Sequence, residues 1–251
     1  MKEFGVVECQ GRYADGKPKP RFRGALHAVV SGLLVLALIA LVALVHLRVL
    51  ERRRWLLGCF FLGKLASYGA SAALHLGVFR DLPSLTRALR LDLLAIPVSI
   101  GANNLPLARS PTEFGALCGA ALCFYVVNAS CVERQLCRAR GLANPDDRSD
   151  TPRSVVLSLH CLFSYWHIRL RRGTDALFYA NVVLVVLTLA LSVPVSAAHA
   201  QEPLDERLPW HRRRVWGFHE DMHVVLLVGD LTMFAMVAGG TVWDPGLGLA
   251  S

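Results

Sequence analysis

Of the 251 residues, 54% are apolar and only 18% charged, and the mean hydropathy is positive at +0.42. A single soluble domain does not accommodate that balance, so the composition points to a multi-span membrane protein whose surface faces lipid. The net charge of +8 does not indicate a nucleic-acid partner, because Lys and Arg fall in short runs between apolar stretches, the pattern in which membrane orientation is written.

Residues 1–24 form a basic tail. The apolar run that follows, 25–47, is longer than the roughly 7–15 apolar residues of a cleaved signal peptide and is expected to be the first anchor. Six further runs follow at 55–79, 88–108, 113–132, 154–170, 174–198 and 214–238. Most approach or exceed the roughly 20 residues that a helix needs to cross a hydrocarbon core. The fifth is the weakest, being short and interrupted by His160, Ser164 and His167. The Gly/Ala-rich patch at 115–121 suits close helix packing in lipid. The expected fold is therefore all-α: a seven-transmembrane helix bundle over 25–238 with a short extracytoplasmic tail at 239–251.

Charge sets the expected orientation. Eighteen of the 27 Lys and Arg fall in segments on the same side as the N-terminus, eight fall on the other side, and Lys64 lies within a span. The positive-inside rule then places the N-terminus in the cytoplasm, with the Arg52–Arg54 cluster as a mild dissent. The longest polar connection, about Glu133 to Arg153, carries a turn signal at Asn144-Pro145-Asp146-Asp147 and gets no function. No Cys-x-x-Cys occurs among the seven cysteines, which read as free thiols acting as small apolar groups. Asn128-Ala129-Ser130 fits the glycosylation pattern but falls inside the fourth run, where no glycan is expected.

Five polar residues sit inside these apolar runs: Ser71, His75, Asp92, His219 and His223. Ionisable groups at such depth are costly and need a reason. Ser71 and His75, like His219 and His223, are one helical turn apart on a single face, as zinc ligands borne by helices require. With alternating spans, all five fall near the cytoplasmic end. His75, His219 and His223 supply three neutral nitrogens, and catalytic zinc commonly takes three protein ligands and leaves a fourth position for water. Asp92 is then placed to orient that water or act as its general base, and Ser71 to steady it.

The remaining polar residues get plainer readings. Glu220 is offset about 100° around the helix from His219 and is expected at an interface or headgroup. His27 is either a neighbour behind the ligands or an ordinary interfacial residue, and the sequence leaves both open. His160 and His167, without a carboxylate partner, read as structural. Lys64 and Asp230 each lie about 11 residues outward from a site histidine, roughly 16 Å, so equal depth predicts a buried ion pair between them.

Four blocks carry a resemblance: Arg23-Gly24-Ala25-Leu26-His27, Ser71-Ala72-Ala73-Leu74-His75, Leu89-Arg90-Leu91-Asp92-Leu93-Leu94-Ala95-Ile96, and Gly217-Phe218-His219-Glu220-Asp221-Met222-His223. In order and content they resemble the haemolysin III and progestin/adipoQ receptor family, the last block being closer to its haemolysin III branch. The resemblance implies a seven-helix bundle with a cytoplasmic N-terminus and zinc on His75, His219 and His223, with Asp92 acting through water and Ser71 nearby. It also implies kinship with alkaline ceramidases, which hydrolyse lipid amides. One departure stands out: after the aspartate block the family tends to have Thr-Tyr-Thr-Pro, where this chain has Asn103-Asn104-Leu105-Pro106.

Three functions follow as expectations. The first is a zinc-dependent hydrolase acting on an amide or ester of a membrane lipid. The second is a zinc-stabilised receptor that binds a lipid-like ligand. The third, a pore-forming haemolysin, ranks last because no polar stripe is seen running the full length of the helices. Expected G-protein-coupled receptor signals of the usual kind are absent at the third and seventh runs. The oligomeric state is not legible.

Overall fold

The computed structural model describes residues 22, 24–47, 56–79, 81–139, 153–196 and 218–242, and every regular element among them is helical. The elements are α1 (Ala25–His46), α2 (Leu57–Leu76), α3 (Leu82–Ala102), a 3-10 turn (Leu105–Leu107), α4 (Pro111–Ala139), α5 (Arg153–Arg172), α6 (Ala176–Ser196) and α7 (Phe218–Val242). Seven helices thus fall on the seven apolar runs. Residues 214–217 of the last run, most of the basic tail, most of the 133–153 connection and the end of the chain lie outside the described residues.

Bounds differ most at α3, which starts at Leu82 rather than 88. Asp81 caps it, its carboxylate accepting from the Ser84 N–H at 2.7 Å, and Pro83 occupies the first turn where no N–H is needed. Those hydrogen bonds from Ser84 hold the exposed Asp81 carboxyl below its ordinary pKa. The helix stops at Ala102 rather than 108, where Pro106 enters the following 3-10 turn. At its far end α4 continues seven residues past 132.

Among the described residues four helices, α1, α2, α4 and α7, are long and apolar enough to cross a membrane, and α6 holds a shorter apolar stretch at Ala176–Leu191. On α2 and α5 the usual polarity is inverted. Along α2 the buried stripe carries Lys64, Tyr68 and Ser71; along α5 it carries His160, Ser164 and His167, while Leu159, Leu162, Trp166 and Leu170 are exposed. Polar groups turned inward and apolar ones outward is the arrangement a bilayer demands.

The helices alternate in direction. Leu41 near the end of α1, Leu57 and Phe60 at the start of α2, Ile168 near the end of α5, Phe178 at the start of α6, and Met233 and Val237 late in α7 share one apolar cluster with Leu107. Consecutive helices therefore run up and down. Of the five polar residues picked from sequence, Ser71, His75, His219 and His223 lie toward the opposite end of their helices, away from this cluster, and Asp92 lies mid-helix. Helix α2 lies close against α3 at Gly63, where an added Cβ would overlap the Ala102 methyl.

Candidate metal centre

The site begins between α2 and α3, where Ser71 and the Asp92 carboxylate approach each other. Asp92 lies mid-helix in α3 rather than near its start, because the capped first turns of α3 extend beyond the end of α2. The guanidinium of Arg153, at the start of α5, faces the same carboxylate.

Proline explains how Arg153 gets there. Pro97 sits inside α3 and has no N–H, so the carbonyl of Leu93, four residues earlier, loses its helical donor. Arg153 Nη2 donates to that carbonyl at 3.1 Å, and its Nε donates to Asn128 Oδ1 of α4 at 3.2 Å. Asn128 Nδ2 also reaches the Leu93 carbonyl, at 3.5 Å. Sequence reading missed both residues. The usable signal was the spacing Leu93 to Pro97, which places a freed carbonyl beside Asp92.

The histidines meet around α1. Gly24, with φ +92°, begins that helix in the left-handed region, and a Cβ there would lie 2.7 Å from the Cβ of His75. This close approach brings His27, one turn later, between two site helices. Its ring centroid is 6.1 Å from that of His75 on α2 and 4.1 Å from that of His223 on α7. His219 lies one turn before His223 in the first turn of α7, and its side chain lies outside the described residues. Among the described residues, no three His, Cys, Asp or Glu side chains form a ready metal-binding group.

Whether this pocket suits zinc is testable on its donors. His27 is 3% exposed, and neither ring nitrogen has a hydrogen-bond partner among the described residues. An imidazole left so is costly unless something else engages it. Two helix-borne histidines flank it, a third shares the helix of His223, and a carboxylate with its hydroxyl partner comes from α3 and α2. The donor set fits zinc.

Glu220 departs from expectation. The residue is 2% exposed, so it is buried rather than turned toward headgroups. Further along the bundle, Lys64 Nζ lies 2.7 Å from Asp230 Oδ1, as equal depth predicted, and the Tyr68 hydroxyl donates to Asp230 Oδ2 at 2.9 Å. At the other end, His167 is held between Asn104 Oδ1 at 3.3 Å and Glu113 Oε1 at 2.9 Å, and Arg171 Nε donates to Glu113 at 2.7 Å. His160 lies flat on Phe124 with centroids 4.3 Å apart. Buried polar groups thus recur at several depths, and most join in cross-helix pairs.

An α-helical bundle with apolar outer faces and buried, paired ionisable groups defines a multi-pass integral membrane protein. The particular family follows from the sequence profile described as haemolysin-III related, which matches residues 16–234. The chain belongs to that family, the haemolysin III and progestin/adipoQ receptor group. No curated protein and no solved structure matches it.

Proposed function

We propose that the chain crosses the membrane seven times with its N-terminus in the cytoplasm, holds zinc on His75, His219 and His223 near the cytoplasmic face, and hydrolyses an amide bond of a membrane lipid. The observation that supports this reading is the gathering of the His75 and His223 rings, from α2 and α7, around His27, with Ser71 one helical turn from His75. Zinc in such a donor set supplies Lewis acidity and lowers the pKa of water in its open position to about 7. Asp92 accepts the proton of the attacking water and returns it to the leaving amine. Arg153 balances the charge of that carboxylate, and Ser71 fixes which of its oxygens faces the substrate. The lipid enters from the bilayer, so its acyl chain stays in hydrocarbon while its amide reaches the polar layer.

The test uses purified full-length protein in lipid nanodiscs. One zinc per chain is expected, lost in His75→Ala and His219→Ala, together with release of fatty acid from a long-chain ceramide. Asp92→Ala keeps zinc and loses turnover by roughly 10²–10⁴-fold. Undiminished hydrolysis in that variant defeats the assignment. A second reading, a receptor whose helices zinc ties together, is favoured by one observation: α1 adds a further imidazole to the group, and a zinc site with four protein ligands is a structural one.

A further inference from the structure

At the end of the bundle opposite the histidine pocket, polar side chains from three elements form one connected chain. Asn104 leads into the 3-10 turn, Glu113 lies in the first turn of α4, and α5 brings Ser164 and His167. Asn104 and Ser164 are 2% exposed and His167 is 6% exposed, so their partners must come from the protein. Asn104 Nδ2 donates to Ser164 Oγ at 3.0 Å, Asn104 Oδ1 lies 3.3 Å from His167 Nδ1, and His167 Nε2 lies 2.9 Å from Glu113 Oε1. Both ring nitrogens thus face oxygens that only accept. A neutral imidazole has one N–H and cannot serve both, whereas an imidazolium has two and does. The neutral ring fits the same site in one other way. It keeps its N–H on Nε2 for Glu113, and the Asn104 amide turns over, so that Nδ2 donates to His167 Nδ1 and Oδ1 accepts from the Ser164 hydroxyl.

We infer that His167 is a proton-binding site whose charge sets the direction of the Asn104 amide and the Ser164 hydroxyl. The inference is independent of the metal site proposed above. Charged groups around the ring are Glu113 of α4, Arg171 one turn further along α5, and Arg109 on the link into α4. Arg171 Nε donates to Glu113 Oε1 at 2.7 Å, while the Arg109 N–H donates to Glu113 Oε2 at 2.8 Å and its guanidinium donates to the Arg171 carbonyl at 3.3 Å. The 3-10 turn brings only the Asn104 amide, and Asp175, ahead of α6, accepts from the Phe178 N–H at 2.8 Å. The Arg171 side chain is 30% exposed, so protons reach the ring from its Glu113 side. With the ring charged, the Ser164 hydroxyl is free to donate to the carbonyl of His160, four residues back. A serine bonded in this way bends its helix slightly, so the proton on His167 is read out in the curvature of α5. It is read out also in the turn, whose Leu107 is seated in the apolar cluster.

Nuclear magnetic resonance of the full-length chain in lipid nanodiscs, labelled with nitrogen-15 in histidine and asparagine, tests this over the range of about pH 5 to 8 in which imidazoles titrate. His167→Gln and Asn104→Ala identify the two residues' signals by their disappearance. At the acid end both His167 nitrogens are expected to carry protons; toward the alkaline end Nδ1 alone loses its proton, and the Asn104 side-chain amide signals move with the same midpoint. Asn104→Asp offers the ring only acceptors and cannot turn over to donate, so the titration of His167 is expected to move to higher pH. Three results overturn the inference: a His167 ring that keeps one protonation state across the range, a neutral ring protonated on Nδ1, or Asn104 signals that ignore the titration. An unmoved midpoint in a folded Asn104→Asp chain overturns it as well.

Discussion

The ion pair between α2 and α7 gives the sharpest energetic test. Lys64 and Asp230 side chains are only 6% and 17% exposed, and the carboxylate also accepts from Tyr68, so three groups satisfy one another away from water. Replacing Lys64 by Met leaves a carboxylate with one neutral donor, and breaking a buried pair in this way costs about 3–5 kcal/mol. Asp230→Leu strands an ammonium and a phenol together, adding about 1 kcal/mol more for the lost hydroxyl bond. The double variant Lys64→Met with Asp230→Leu leaves only the Tyr68 hydroxyl without its partner. Its expected cost is about 1–2 kcal/mol, below that of either single change. Reversible unfolding of the purified chain in mixed micelles, titrated with SDS, measures all four proteins of the cycle. A double variant that loses the sum of the two single changes would refute the reasoning, because additivity means that neither charge depends on the other.

Three further outcomes are expected. Gly24→Ala forces a side chain onto a left-handed residue and against His75, costing about 1–2 kcal/mol; zinc content falls while helical circular dichroism persists, and full zinc retention contradicts the placement of α1. Arg153→Met takes the donor from the Leu93 carbonyl and from Asn128 Oδ1 and is expected to cost about 1–3 kcal/mol in an unfolding titration; an unchanged stability contradicts the role given to the carbonyl that Pro97 frees. Asp81 has a folded pKa below its unfolded value, so its stabilisation is complete above about pH 4 and is lost as pH falls through the folded value. Asp81→Asn keeps the helix cap but removes this acid slope from a plot of Tm against pH, and an unchanged slope denies the role.

The helices were legible because each apolar run is long and lipid leaves few alternatives to a helix. The Lys64–Asp230 pair was legible for a related reason: in an up-and-down bundle, sequence distance along a helix translates into depth, and two opposite charges at one depth seek each other. What escaped were contacts set by rotation about the helix axis and by backbone exceptions. Glu220 faces inward although its offset from His219 suggested the opposite, since an angle between neighbours does not say which of them faces the interior. Arg153 and Asn128 entered the site through a carbonyl that Pro97 releases, and Asn128 had carried only a glycosylation pattern. The start of α3 was hidden because Ser84, Thr86 and Arg87 lower its apolar character, while the signals that begin it, Asp81 and Pro83, lie upstream of the apolar run.

The tight apolar cluster gathers the ends of the helices farthest from the histidines. A helix of about 20 residues is roughly 30 Å long, so pivoting it by about 2° around that clamped end swings its free tip by about 1 Å. Metal–ligand bonds tolerate far less than that. Small changes in helix inclination, of the kind bilayer thickness or a wedged lipid imposes, are thereby magnified at the histidine-bearing tips, where an ion held as proposed above would register them.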